Sequence, residues 1–397
     1  MLLYAQAHTL LLRGQREHAV ETYHKAAAAC ADYVFPSRLE EMLLLAEAIR
    51  LNPEDARAPY YVGNFLYDRR RHREAIAHWE LAAQLDPEFP TVWRNLGFAY
   101  YNVLRDADRA MESFAHARQL SPADARIFYE QDQLAKRTCT PLPERLALLE
   151  ANRQLVQERD DLSVDLATLY NDVGSPDRAL QILTSRQFQP WEGGEGLVLG
   201  QYVRAHVLLG QQALSGGDAG AATTHFHAAL QPPPTLAEAR HLLSNMSMVD
   251  YWLGVAYAEQ GDMEAARESW TRAARRQADF RQMQVQPISD MTYWSAMSLL
   301  RLQHAKEAAE LFQSIYDYAT ALAGQKAKID YFATSLPALL LFDEDLQERQ
   351  ATTAMFLKAQ ALLGRGEEQQ GRDLLQQVLK RDCSHSGAID LLRGRKA

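Results

Sequence analysis

The residues best suited to chemistry lie in one short segment, Phe188-Gln189-Pro190-Trp191-Glu192-Gly193-Gly194-Glu195-Gly196. Its three glycines open backbone conformations closed to other residues, so the stretch can fold tightly and bring Trp191, Glu192 and Glu195 together. An indole face beside two carboxylates suits a sugar, whose apolar face stacks on the ring while its hydroxyls hydrogen-bond the acids. The same residues equally describe an inter-repeat turn, with Trp191 in the core and the glutamates capping a helix that begins near Leu197. Other chemistry is scarce. There is no GxSxG, P-loop, GxGxxG or HExxH motif. Cys30, Cys139 and Cys383 are far apart in the chain and form no ligand pattern, which predicts neither a disulfide scaffold nor structural zinc. His225 and His227 stand two apart and point to different sides of a helix, so they do not share a metal ion. Asp160-Asp161, and Asp250 at the end of its run, read as caps and solvated charge, although Asp132 or Asp250 is a candidate addition to the Trp191 set. No catalytic residue, cofactor or metal is expected, and the balance leans away from an enzyme.

The elements that must position these residues follow from a repeat. Leu51-Asn52-Pro53, Leu85-Asp86-Pro87 and Leu120-Ser121-Pro122 recur at spacings of 34 and then 35 residues, each after one helical apolar pattern and before another. This period resembles that of the tetratricopeptide repeat. From Ala56 to Phe89 the unit carries Val62-Gly63, Ala75, Trp79, Ala82 and Pro87. The next carries Trp93, Leu96-Gly97, Tyr100, Ala110, Phe114, Ala117 and Pro122, with one extra residue in the turn around Asn102 to Asp106. Gly63 and Gly97, with Ala75 and Ala110, let two helices approach closely. Trp79 and Phe114 then fill the space between pairs, and proline ends the second helix because it cannot donate the next hydrogen bond. Weaker copies run over Leu2 to Ala29, Asp165 to Arg186, Tyr202 to Leu230, Ser247 to Ala278, Tyr293 to Phe312 and Phe356 to Leu375. Strand signals are nearly absent. The expected fold is all-α, a tetratricopeptide-type right-handed superhelical solenoid of about eight or nine helical hairpins. The expected divisions are an N-terminal array (1–137), an irregular central array (138–278) that opens with the break at Thr138 to Pro143 and contains those at Gln187 to Gly196 and Gln231 to Met248, and a C-terminal array with its cap (279–397).

The resemblance also implies a surface. In such repeats the first helix of each pair lines a concave groove. The inward positions here are Arg57, Tyr60, Asn64 and Tyr67, then Arg94, Asn95, Phe98 and Tyr101, then Arg126, Tyr129 and Glu130. Aromatics, amides and arginines on one face can hold an extended peptide or its terminal carboxylate. Asn64, Asn95 and Arg126 resemble the two amides and the cation of carboxylate-clamp repeats, with departures at Tyr60, where that type has a lysine, and at Glu130, where it has a cation. A broader resemblance is carried by Tyr60 to Asp68, Trp93-Arg94-Asn95-Leu96-Gly97, Tyr129 to Leu134, Phe188 to Gly196 and Tyr251-Trp252-Leu253-Gly254. These look like the C-terminal repeat half of long bacterial proteins whose N-terminal half is a β-sandwich domain akin to aldose epimerases. Such proteins tend to occur beside carbohydrate-utilisation functions, which is the context the resemblance implies. The sandwich has no counterpart in this sequence, and Pro232-Pro233-Pro234 differs from the glycine-containing loop usual there.

Composition narrows the partners. Against 42 Lys+Arg stand 51 Asp+Glu, a net charge of −9, with 47% hydrophobic and 23% charged residues. A folded chain with this acidic balance, no basic block and no DNA-reading helix predicts neither nucleic acid nor an anionic membrane as partner, and no transcriptional role. No apolar run approaches the ~20 residues that span a bilayer. The start, Met1 to Arg13, lacks a signal peptide's basic region and reads as a helix of a cytoplasmic protein. The sequence therefore predicts a non-enzymatic scaffold that holds a protein or peptide partner in its groove. The alternative is a carbohydrate-binding or carbohydrate-processing module at Trp191, Glu192 and Glu195.

Overall fold

A glycine on one helix lies under an aromatic ring on the next in pair after pair, and this device builds the fold. A Cβ at Gly97 would come within 2.7 Å of the Phe114 ring, and at Gly63, Gly210 and Gly254 it would collide with the rings of Trp79, Phe226 and Trp270. Only glycine lets the helix axes close far enough for those rings to be buried, and all four rings are 4% exposed or less.

In the computed structural model, which describes residues 1–191, 193–276, 278–281, 284–328 and 341–394, the chain is all-α and of the tetratricopeptide-repeat type. The helices are α1 (Leu2–Leu12), α2 (Arg16–Ala27), α3 (Leu39–Leu51), α4 (Arg57–Asp68), α5 (His72–Leu85), α6 (Pro90–Ala99) and α7 (Ala107–Leu120). They continue as α8 (Ala125–Arg137), α9 (Leu142–Ala151), α10 (Arg153–Glu158), α11 (Asp160–Val173), α12 (Pro176–Thr184), α13 (Leu197–Ser215) and α14 (Ala219–Leu230). The last are α15 (Ser247–Glu259), α16 (Met263–Ala274), α17 (Thr292–Arg301), α18 (Ala305–Gly324), α19 (Leu346–Gly364), α20 (Glu368–Arg381) and α21 (Ser386–Gly394). Consecutive helices pack as hairpins in α1/α2, α4/α5, α6/α7, α11/α12, α13/α14, α15/α16, α17/α18 and α19/α20. Each weak copy read from the sequence is one of these pairs.

Helix starts follow local chemistry. Asp106, Asp218 and Asp262 accept the backbone N–H of Arg109, Ala221 and Ala265, capping α7, α14 and α16. Asp55 Oδ1 accepts from Arg57 and Ala58, and Asp124 Oδ1 from Arg126 and Ile127, so the residue two after the first and third Leu-x-Pro turns launches the next helix, whereas Phe89 after the second has no such side chain.

Two details correct the sequence reading. The extra residue of the 35-residue repeat is absorbed mainly in the helix, as a π-helical turn over Tyr100–Leu104 closed by Arg105 at φ 57, rather than in the connecting turn. A short antiparallel pair, β1 (Asp279–Arg281) and β2 (Gln284–Gln286), also interrupts the rhythm, and strands of three residues are too short to show alternation.

The chain divides into two compact units. The first comprises Met1–Ala135 with Leu341–Asp343, and the second Lys136–Leu340 with Glu344–Ala397. In the first, Tyr4, Tyr23, Tyr61, Trp79, Leu96 and Phe114 anchor one continuous core, which Phe342 joins. In the second, α21 is seated on α11 and α13 by Arg204, whose guanidinium bonds Asp172 at 2.7 Å and Asp390 at 2.8 Å. Burial pushes the Asp172 carboxyl above its ordinary range, and Arg204 opposes the shift.

Candidate functional site

The sites are built from the first helices of the early pairs. Asn64 Oδ1 accepts from Trp79 Nε1 at 3.1 Å and from Asn95 Nδ2 at 3.2 Å, so the two predicted groove amides form a ladder from α4 to α6. Tyr60 is buried against Phe89 and Tyr61, and burial pushes its phenol up while a hydrogen bond from Asn64 opposes the shift. Arg57 lies 3.7 Å over the Phe89 ring and pairs with Asp86 at 3.4 Å. Half of the polar groove row thus also braces the repeats.

Charge is concentrated one helix further on. Glu130 is 1% exposed and accepts from Arg94 Nε at 2.6 Å and Nη2 at 2.5 Å, and from Arg126 Nε at 3.0 Å. Two guanidiniums against one carboxylate leave one net positive charge, carried outward by Arg126, whose side chain is 62% exposed. Tyr129 is half-buried on the same helix.

The aromatic end of the row is occupied. Phe98 and Tyr101 are half-buried, and each meets the ring of Phe342, with centroids 5.0 and 5.2 Å apart. Phe114 closes the pocket at 5.9 Å. Asn102, on the π-helical turn, donates from Nδ2 to the Leu341 carbonyl at 3.1 Å and accepts the Asp343 N–H at Oδ1 at 2.8 Å. Arg105 pairs with Asp343 at 3.3 Å. Tyr67 adjoins this cluster: burial pushes its phenol up, a hydrogen bond from Asn102 opposes that, and the Asp343 carboxylate adds to it. The structure therefore brings Tyr67, Phe98 and Tyr101 together, and Asn102, Arg105 and Phe342 were missed by the sequence reading. The only sequence signal near them was the one-residue insertion.

The glycine-rich loop of the second unit is arranged differently. Trp191 lies over Gly194, where a Cβ would run into the indole. Glu195 is exposed and accepts the Gly193 N–H at 3.0 Å, while Glu192 lies outside the described residues. At the start of α13 Glu238 accepts from Gly196 at 2.9 Å and from Leu199 at 2.8 Å, a cap that Glu195 does not supply. Phe188 N–H reaches the Thr235 carbonyl at 2.9 Å, so the glycine-rich and proline-rich loops are tied to each other, a pairing invisible in either alone. Asp160 pairs with Arg186 and accepts the Gln189 N–H at 2.7 Å, Asp161 pairs with Arg159, and Asp250 is held by Arg272 and Arg276. Asp132 is buried.

His225 and His227 do diverge: His225 Nδ1 meets His206 Nδ1 at 3.1 Å, and His227 meets the Tyr257 hydroxyl at 2.9 Å. Among the described residues no group of three His, Cys, Asp or Glu is placed to hold a metal ion. The cysteines behave otherwise than their separation suggests, because Cys139 and Cys383 come into side-chain contact, and burial, then Cys139, push the Cys383 thiol up to about 12. Among the described residues no helix is long and apolar enough to cross a membrane.

Comparison with known proteins agrees with the repeat. Residues 63–103 match the model described as TPR repeat, and residues 249–279 the model described as tetratricopeptide repeat. The chain thus carries tetratricopeptide repeats, in a stretch that includes most of the aromatic pocket and in a second one around Gly254 and Trp270. Solved structures to which it is similar include PilW, a type IV pilus biogenesis factor, at 16% identity over 55% of this chain and 91% of that one, with a TM-score of 0.30. PilF of Pseudomonas aeruginosa is 16% identical over 59% and 94%, with a TM-score of 0.33. YrrB, described as a TPR protein with an unusual peptide-binding site, is 19% identical over 57% and 89%, with a TM-score of 0.21.

Proposed function

We propose that the chain is a non-enzymatic scaffold that binds a protein or peptide partner along α4, α6 and α8, through the row from Arg57 to Glu130. The observation that carries this reading is the Arg94–Glu130–Arg126 cluster: a buried carboxylate holds two arginines on one face and leaves a net positive charge in a chain of net charge −9. That arrangement favours an acidic side chain or a terminal carboxylate on the partner. The partner belongs, on this reading, to a bacterial cytoplasm and to carbohydrate utilisation, the context of the sequence resemblance.

The test is an array of acidic and C-terminal peptides read by fluorescence polarisation against the full chain. Peptides binding with a Kd on the order of 10 μM, weakened about fivefold or more by Arg126→Ala and by rising salt, are the expected result. An array without a binder at ~100 μM, or binders indifferent to Arg126→Ala, defeats the reading. The carbohydrate alternative at Trp191, Glu192 and Glu195 draws on the exposed Glu195 and the half-buried Trp191. Calorimetry with a panel of mono- and oligosaccharides decides it, because binding must occur and must be lost in Trp191→Ala.

A further inference from the structure

Leu341-Phe342-Asp343 is an odd member of the first unit. It belongs to no helix, follows residue 135 of that unit by more than two hundred positions, and the chain from Glu344 onward belongs to the second unit. Yet Phe342 is fully buried, at 0% exposure, in a pocket of three aromatic rings contributed by α6, the π-helical turn and α7. The manner of holding is that of a bound peptide. A single carboxamide, Asn102, takes the carbonyl before Phe342 and the N–H after it, which satisfies the main chain on both sides of the anchor residue whatever its side chain is. The aromatic pocket then selects the anchor, and Arg105 meets the acid that follows it.

We propose that this pocket is a reader for a short partner motif, an apolar residue followed by phenylalanine and an acid, and that Leu341-Phe342-Asp343 is an internal pseudo-ligand that competes for it. The inference rests on the scaffold reading and specifies where on that face the partner's anchor goes. Three features favour a reader over an ordinary packing contact. Asn102 and Arg105 sit on and beside the one residue by which this repeat exceeds 34, so the insertion supplies the rim of the pocket. The Arg105–Asp343 pair is exposed on both sides, 63% and 61%, so it adds selectivity for an acid more than stability. Finally, Tyr67 and Phe98 lie on the same helices as Asn64, Asn95 and Arg94, with Tyr101 on the π-helical turn that continues α6, so an extended partner anchored in the pocket continues along the row toward the net positive charge. An internal competitor acts at an effective concentration in the millimolar range, so the intact chain binds such a motif weakly until the segment yields.

The probe is a fluorescent peptide copying residues 341–345, titrated by polarisation against the full chain. Phe342→Ala is expected to bind it at least tenfold more tightly than wild type, and adding Asn102→Ala is expected to abolish that gain. A control peptide with alanine at the phenylalanine position should bind neither form. Because Phe342→Ala opens a core position, circular dichroism checks its fold, and Asp343→Ala, which loses only the exposed ion pair, is expected to gain about threefold. A folded Phe342→Ala chain that binds no better than wild type, or a gain that survives Asn102→Ala, overturns the proposal. Failure here with array peptides still lost in Arg126→Ala rejects the pseudo-ligand and keeps the scaffold, and failure of both rejects both.

Discussion

Gly63→Ala is expected to destabilise α4 and α5 although alanine is the better helix former. The new methyl gains about 1 kcal/mol of helix propensity. Its carbon would lie within 3.0 Å of three atoms of the Trp79 ring, with the ring 4% exposed and without room to retreat. Overpacking of this kind costs about 1–3 kcal/mol. A shifted indole also strains its Nε1 hydrogen bonds to the Tyr60 carbonyl and Asn64, with net hydrogen bonds worth about 1 kcal/mol each. The sum is a loss of roughly 1–3 kcal/mol. Gly254→Ala repeats the geometry against Trp270, with three ring atoms within 2.9 Å, and should behave alike. Gly200→Ala is the opposite case, because nothing lies within 4 Å of its added carbon inside α13, and it should stabilise that helix by about 0.5–1 kcal/mol. Repeat arrays open locally, so the assay is hydrogen exchange read by mass spectrometry on peptides of α4/α5, α15/α16 and α13. If Gly63→Ala slows exchange in α4/α5 as Gly200→Ala slows it in α13, the close-approach account of this fold is wrong.

Glu130→Ala leaves the Arg94 guanidinium, 16% exposed, without its carboxylate, and should destabilise α6 and α8 by about 3 kcal/mol in the same exchange assay; the double variant with Arg94→Met should recover part of this loss. His206 is held down to about 4 by burial and then by His225, so the folded state keeps it neutral while the unfolded state binds a proton below about 6.5. Its contribution is therefore fully present above about pH 6.5 and lost as pH falls toward 4, bounded near 3 kcal/mol and nearer 1–2 after discounting for partial hydration. The Tm should fall between pH 6.5 and 4.5, and a His206→Gln chain should show a flatter profile over the same range. With its thiol pushed up by burial and by Cys139, Cys383 carries far less thiolate at pH 8 than an ordinary cysteine, so iodoacetamide followed by peptide mapping should find the exposed Cys30 and Cys139 labelled and Cys383 spared.

Local order was legible because its causes are local. The 34-residue spacing and the small residue facing a large one in Gly63/Trp79 and Gly254/Trp270 act within one repeat or between neighbours, where periodicity is a direct image of contact. The row of Arg57, Asn64, Arg94, Asn95 and Arg126 came from the repeat-family resemblance, and the ladder within it, Asn95 to Asn64, spans a single repeat. The glycine-rich loop was ambiguous for the converse reason. The residue that caps α13, Glu238, arrives from a loop 42 positions later and has no fixed offset from the glycines it serves.

What the sequence determined by itself was thus the class of fold and the pairing of helices, since each depends on spacings of four, sixteen or thirty-four residues. Tertiary structure alone decided that Glu130 is a buried partner of two arginines, and that Cys139 and Cys383 meet. It also placed Phe342 in the pocket of Phe98, Tyr101 and Phe114. The contact of Asn102 with Leu341 joins residues 239 apart, and no periodic pattern encodes it. It exists because burial of the phenylalanine ring and the two main-chain hydrogen bonds from Asn102 together offset the cost of ordering the segment, a balance struck only once the folded pocket is there to receive it.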